Sequence, residues 1–165
     1  MKKNILFKTL IDILFYFHCL ALIGVLFILP LGITNINQVN MPVENWSLGF
    51  WFILILNFII YIIFLIGLFY LRKTARHLLS NNFFTENVIN NLKKSGLYFI
   101  VFGIASLLLS IGIWAMKLYN GSFQLLYDSD TIIPLFVTIV GLFFLIQSRA
   151  LLSGKFYKQE NDLTI

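Results

Sequence analysis

Four long apolar stretches, roughly residues 11–33, 48–71, 97–118 and 132–152, dominate this chain of 165 residues. A bilayer core needs about 20 mostly apolar residues per helix, more than a buried helix of a soluble protein usually offers. Each stretch reaches that length without a run of charges. The pattern predicts an all-α integral membrane four-helix bundle, a single domain over 1–165. A water-soluble fold fails on composition: the chain is 59% apolar and 12% charged, with a mean hydropathy of +0.89. Soluble domains carry about 25% charged residues, and a chain this small buries only part of its surface.

Orientation follows from Lys and Arg. Lys2, Lys3 and Lys8 precede the first span, Arg72, Lys73, Arg76, Lys93 and Lys94 lie between the second and third, and Arg149, Lys155 and Lys158 mark the C-terminal end. The loops 34–47 and 119–131 hold none, and Lys117 borders the second of them. The positive-inside rule then places both termini and the middle loop in the cytoplasm. Trp46, Trp51 and Trp114 fall near the opposite boundary, where amphipathic rings prefer to sit. The first span is too long for a signal peptide, and no small-x-small cleavage site follows it. The Asn-x-Ser matches at Asn45 and Asn120 carry little weight in a chain so rich in Asn.

The net charge of +5 is accounted for by topology and by attraction to the lipid bilayer and its anionic headgroups, so direct nucleic-acid binding is not expected. The single cysteine, Cys19, excludes a disulfide framework and a dithiol centre. No nucleophile triad, His/Cys metal set or phosphate-binding glycine loop is spelled out. The expectation is a protein that is not an enzyme, with no cofactor and no metal.

The most informative interruption is SNNFFTENVINNLKKSG, residues 80–96. Leu71, Ala75, Leu78 and Leu79 carry the second helix past the membrane at helical spacing, and Ser80, Asn81 and Asn82 break it. Thr85 suits an N-cap, with Glu86 in the first turn. Val88, Ile89 and Leu92 then form an apolar face opposite Asn87, Asn90, Asn91, Lys93 and Lys94. A helix from Glu86 to Tyr119 would run about 50 Å at 1.5 Å per residue, so it should protrude beyond a ~30 Å hydrocarbon core. Residues 72–96 are therefore expected as a cytoplasmic helical hairpin. Phe83 and Phe84 at its turn suit either a hydrophobic staple or headgroup anchor, or an aromatic contact for a cytosolic partner.

Polar residues inside spans are costly and often functional. Asp12 sits near the start of the first span and can pair with Arg72 or Arg149. His18 lies deeper, and Asn57, on the second span, falls within a few turns of its level. An interhelical bond from His18 to Asn57 or to a serine such as Ser106 or Ser110 would fix packing at about 1 kcal/mol or less; the functional alternative is a proton-sensing or ligand-contacting histidine. Gly96, Gly103 and Ser110 recur every seven residues, and Thr138, Gly141 and Ser148 form a similar row on the fourth span. Such seams let backbones approach closely in lipid. They suit contact between helices three and four, and equally a homodimer.

After the fourth span, Gly154 is expected to end the helix and leave a tail within 153–165. Leu163-Thr164-Ile165 alternates as an added β-strand would, so Asp162, Leu163, Thr164 and Ile165 join Phe83, Phe84, Glu86 and Asn87 as candidate partner contacts.

Phe84-Thr85-x-Asn87 followed by Leu92 and Gly96, together with the ending Glu160-Asn161-Asp162-Leu163-Thr164-Ile165 after Gly154, resembles the YoaS-like proteins. These are a bacterial family of small four-span membrane proteins with no assigned chemistry, often encoded beside a small helix-turn-helix DNA-binding protein. The resemblance implies a bacterial cytoplasmic-membrane protein that controls such a regulator. The expected function is to sequester a small cytosolic DNA-binding regulator through the hairpin and tail. The alternative is a small transporter or resistance (immunity) protein with a polar path near His18, Asn57 and Asp12.

Overall fold

The computed structural model describes residues 2–28, 48–79, 84–119 and 129–163. They form four helices and, among the described residues, no strand: α1 (Lys2–Ile28), α2 (Leu48–Leu78), α3 (Glu86–Tyr119) and α4 (Ser129–Leu163). All four are long and apolar enough to cross a membrane. Each exceeds the ~30 Å of a hydrocarbon core at 1.5 Å per residue, because α1 is 27 residues long and α4 is 35.

Two boundaries differ from expectation. Helix α1 begins at Lys2, well before residue 11, since Asn4, Lys8 and Thr9 continue the helix into polar sequence. Helix α4 runs through Gly154 to Leu163. A glycine ends a helix when it supplies a left-handed residue at the C-terminus. Gly154 does not adopt that conformation; instead the ring of Phe84 packs against its bare Cα. The tail expected from 153 is thus the last turns of α4, and Asp162 and Leu163 are helical, not an extended strand. Thr164 and Ile165 lie outside the described residues, as do Phe83 and most of the loops holding Asn45, Trp46 and Asn120.

The contacts make each helix antiparallel to the next. Asn4 on α1 bonds to the carbonyl of Leu78 on α2, while Tyr61 further back on α2 bonds to the carbonyl of His18. Ser95 Oγ of α3 donates to Gly67 O of α2 at 3.0 Å. Gly96 meets Gly141 and Gly103 meets Pro134 across α3 and α4. The starts of α1 and α3 and the ends of α2 and α4 therefore share one end of the molecule. The closest association is α3 with α4, followed by α2 with α3 and then α1 with α2.

Burial is concentrated toward that shared end, where Ile11, Leu68, Leu71, Ala75, Leu92 and Phe99 form one cluster. Elsewhere large apolar side chains face outward, among them Leu20, Phe27, Leu108 and Ile146. In water such a surface would drive aggregation; in lipid it is the expected exterior. Association in lipid depends on close packing and polar contacts rather than apolar burial, and the glycines supply the first. A Cβ on Gly96 would lie 2.7 Å from the backbone oxygen of Gly141, and one on Gly141 would lie 2.8 Å from that of Gly96. The expected contact between helices three and four is present.

Candidate functional site

At the shared end Phe84 and Glu86, at the start of α3, contact α4. Thr85 immediately precedes α3, and its carbonyl accepts the N–H of Ile89 at 3.2 Å, as a residue at the N-cap does. Val88 and Leu92 on the inner face are buried, while Asn87, Asn90, Lys93 and Lys94 are exposed, the amphipathic division read from the sequence. The ring of Phe84 rests on Gly154, where an added Cβ would meet it at 2.6 Å. One residue further, Lys155 Nζ bonds Glu86 Oε1 at 2.7 Å. The lysine holds the Glu86 carboxyl below the ordinary carboxylate value.

These contacts decide how two sets of sequence candidates relate. Phe84 and Glu86 belong to the hairpin, Gly154 and Lys155 to the extension of α4, and the four residues make one joint. Phe84 remains 41% exposed, so the contact with Gly154 leaves part of its side chain open. Asn87 stands beside the joint on the exposed face.

The polar residues within the spans form separate groups. Arg72 Nε donates to Asp12 Oδ1 at 2.5 Å, and Lys8 Nζ lies 3.1 Å from Asp12 Oδ2. Arg72 also donates to the hydroxyl of Tyr16, and its guanidinium lies over the rings of Phe15 and Tyr16 at 5.0 and 4.5 Å. Both carboxylate oxygens of Asp12 thus have a cation. Of its two expected partners the structure selects Arg72. Lys8, Asp12 and Tyr16 are spaced by four on one stripe of α1, the spacing at which helical neighbours interact; that stripe is the signal by which Lys8 and Tyr16 could have been found.

His18 and Asn57 do not bond to each other. His18 Nδ1 lies 2.8 Å from the carbonyl of Leu14, an arrangement that requires the proton on Nδ1, and Asn57 Nδ2 donates to the carbonyl of Ile53 at 3.0 Å. Each satisfies its own helix four residues back, the usual outlet for a polar side chain in an apolar helix. The His18 ring packs with Tyr61 and Phe64, at centroid distances of 6.1 and 5.3 Å. Asn57 and Tyr61 line a cleft of about 360 Å³ between α1 and α2 that is otherwise apolar, with Ala21, Leu22 and Phe58 among its walls.

Among the described residues no three His, Cys, Asp or Glu side chains are grouped to hold a metal. No protein-family model, curated protein or solved structure matches this chain.

Proposed function

We propose that this chain is a multi-pass protein of a bacterial cytoplasmic membrane, a YoaS-like protein, with both termini and the α2–α3 hairpin in the cytoplasm. Its function is interaction rather than catalysis: the hairpin end and the α4 extension hold a small helix-turn-helix transcription regulator at the membrane. The observation that supports this most is the joint of Phe84 on Gly154 and Glu86 on Lys155. It turns two short segments into one preorganised surface, which lowers the ordering cost of binding, and it leaves a partly exposed aromatic side chain as an anchor. The lysines and arginines gathered at this end support the orientation through the positive-inside rule.

The test is affinity capture from cytosol of the native host on the detergent-solubilised protein, with the retained proteins identified by mass spectrometry. The intact chain should retain a helix-turn-helix protein. Truncation after Gly154 and Phe84→Asp should both release it, while Leu108→Ala, on the exposed apolar exterior, should not. Retention of the same protein by all variants, or by none, overturns the reading.

The transporter reading ranks second, supported by the cleft beside Asn57. It predicts proton-coupled flux in proteoliposomes that is lost in Asp12→Asn or His18→Ala. Flux that survives both changes would remove these residues from any path.

A further inference from the structure

Two lysines, one on α2 and one on α3, converge on a pair of stacked tyrosines. Tyr70 and Tyr98 bridge the α2–α3 seam with ring centroids 5.7 Å apart and planes within 8°. Lys73 lies one turn beyond Tyr70 on α2, and Lys94 lies one turn before Tyr98 on α3. Because the helices are antiparallel, these steps lead to the same height. Lys94 Nζ is 5.2 Å from the Tyr70 centroid and Lys73 Nζ 5.8 Å, with Lys73 also 4.6 Å from the Phe69 ring.

The charge balance here is unlike that of the other cations in contact with rings or acids. Lys8 and Arg72 share Asp12, and Lys155 has Glu86. Among the described residues neither Lys73 nor Lys94 takes part in an ion pair. Aromatic faces attract ammonium groups by about 0.5–1 kcal/mol at exposed sites, which helps hold both lysines over the rings. Two like charges drawn to one ring still repel each other, and an anion placed between them relieves that repulsion.

We propose that Tyr70, Lys73, Lys94 and Tyr98 form a binding site for the phosphate headgroup of an anionic phospholipid. The inference rests on the chain lying in a bilayer, though not on which way it faces. The apolar stretches end at Leu71 and resume at Leu97. Tyr70 therefore stands in the last turn of its span and Tyr98 in the first turn of the next, with each lysine one turn outside its tyrosine, at headgroup depth. The ammonium groups meet the phosphate charge, and the phenols donate to its oxygens or to the glycerol moiety. The acyl chains descend along the exposed apolar residues of α2 and α3, such as Phe69 and Val101.

Nanodiscs of phosphatidylcholine doped with phosphatidylglycerol test this, with the lipids retained by the released protein counted by native mass spectrometry. Each lysine near a charged headgroup contributes about 1 kcal/mol, or about fivefold in affinity. Lys73→Gln and Lys94→Gln should each weaken phosphatidylglycerol retention about fivefold, and the double variant should lose about thirtyfold. Lys93→Gln with Lys158→Gln, the same loss of charge elsewhere, should stay within about twofold of the parent. Equal retention by the parent and the double variant overturns the site, as does an equal loss in the control. Complete competition by soluble glycerol 3-phosphate assigns the anion to solution and overturns the lipid. A chain that never enters nanodiscs refutes the membrane reading itself, an outcome distinct from a chain that enters without preferring phosphatidylglycerol.

Discussion

Helices α3 and α4 meet backbone to backbone, whereas helices α1 and α2 meet through side chains. At Gly96 and Gly141 each residue's backbone oxygen lies less than 3 Å from where the other's Cβ would be. Gly103 is covered by Thr138 and by the carbonyl of Pro134. Across α1 and α2 the ties are instead the Asp12–Arg72 pair, the Arg72–Tyr16 bond and the rings around His18. Gly24 on α1 has nothing within 4 Å of its missing Cβ. Where lipid removes the apolar driving force, close approach and polar contacts are two ways to join helices. The first tolerates no added atom. The second tolerates volume and fails when a charge loses its partner.

The largest effect should come from breaking the backbone seam. A side chain at Gly141 meets the carbonyl of Gly96 and the backbone nitrogen of Ile100, and neither can swing away. Gly141→Leu should therefore destabilise the protein by about 3 kcal/mol, at the upper end of overpacking costs. Gly24→Ala should leave stability unchanged or raise it by up to about 1 kcal/mol, the helix-propensity gain. Reversible unfolding in mixed micelles measures both. Equal effects at the two glycines would dissolve the distinction between the helix pairs.

The next effect should come from the charge contact. The Arg72 and Asp12 side chains are only 12% and 16% exposed, so a charge left alone there is poorly solvated. Asp12→Ala should cost about 2 kcal/mol, typical of losing a hydrogen bond to a charged group. Adding Arg72→Met should recover part of that loss, because an apolar pair replaces an orphaned cation. Hydrogen exchange should show the loosening in α1 while the amides of α3 next to Gly96 and Gly103 stay protected. Loosening of all four helices together would mean that the two seams are one cooperative unit.

The sequence carried the seam and hid the joint. Gly96, Gly103, Thr138 and Gly141 are legible because one spacing, repeated along a helix, puts small residues on one side, and only another helix can use that side in lipid. The start of α3 at Glu86 was legible for a similar reason, since Thr85 and the amphipathic face beyond it belong to one local stretch. Gly154 was misread because one letter serves two purposes, a left-handed helix end and a flat place for a ring. Which applies depends on Phe84, seventy residues away. Depth along an apolar helix can be counted from the sequence, but the direction a side chain takes around the axis is set by packing. His18 and Asn57 therefore looked like partners at related depths and are bonded to their own helices instead.

The smallest effect should lie at that joint, and it separates charge from packing. Lys155 depresses the Glu86 carboxyl below its ordinary value of 4.5. A group whose acidity is raised in the folded state contributes stability above its unfolded value and loses it as pH falls through the folded one. The pair is exposed on the Glu86 side, where solvent weakens ion pairs, so overall stability should barely move. A distance probe with one spin label on the turn and one on the α4 extension should report a single short distance at neutral pH and a broader one as pH falls below about 4.5. Glu86→Gln should abolish the pH response, whereas Gly154→Leu, which puts atoms where the Phe84 ring lies, should broaden the distance at every pH. If acid leaves the distance sharp while Gly154→Leu still broadens it, packing of the ring holds the turn to α4 and the ion pair is incidental. The joint would then resemble the α3–α4 seam, at which a bare Cα sets the contact, more than the charged contact between α1 and α2.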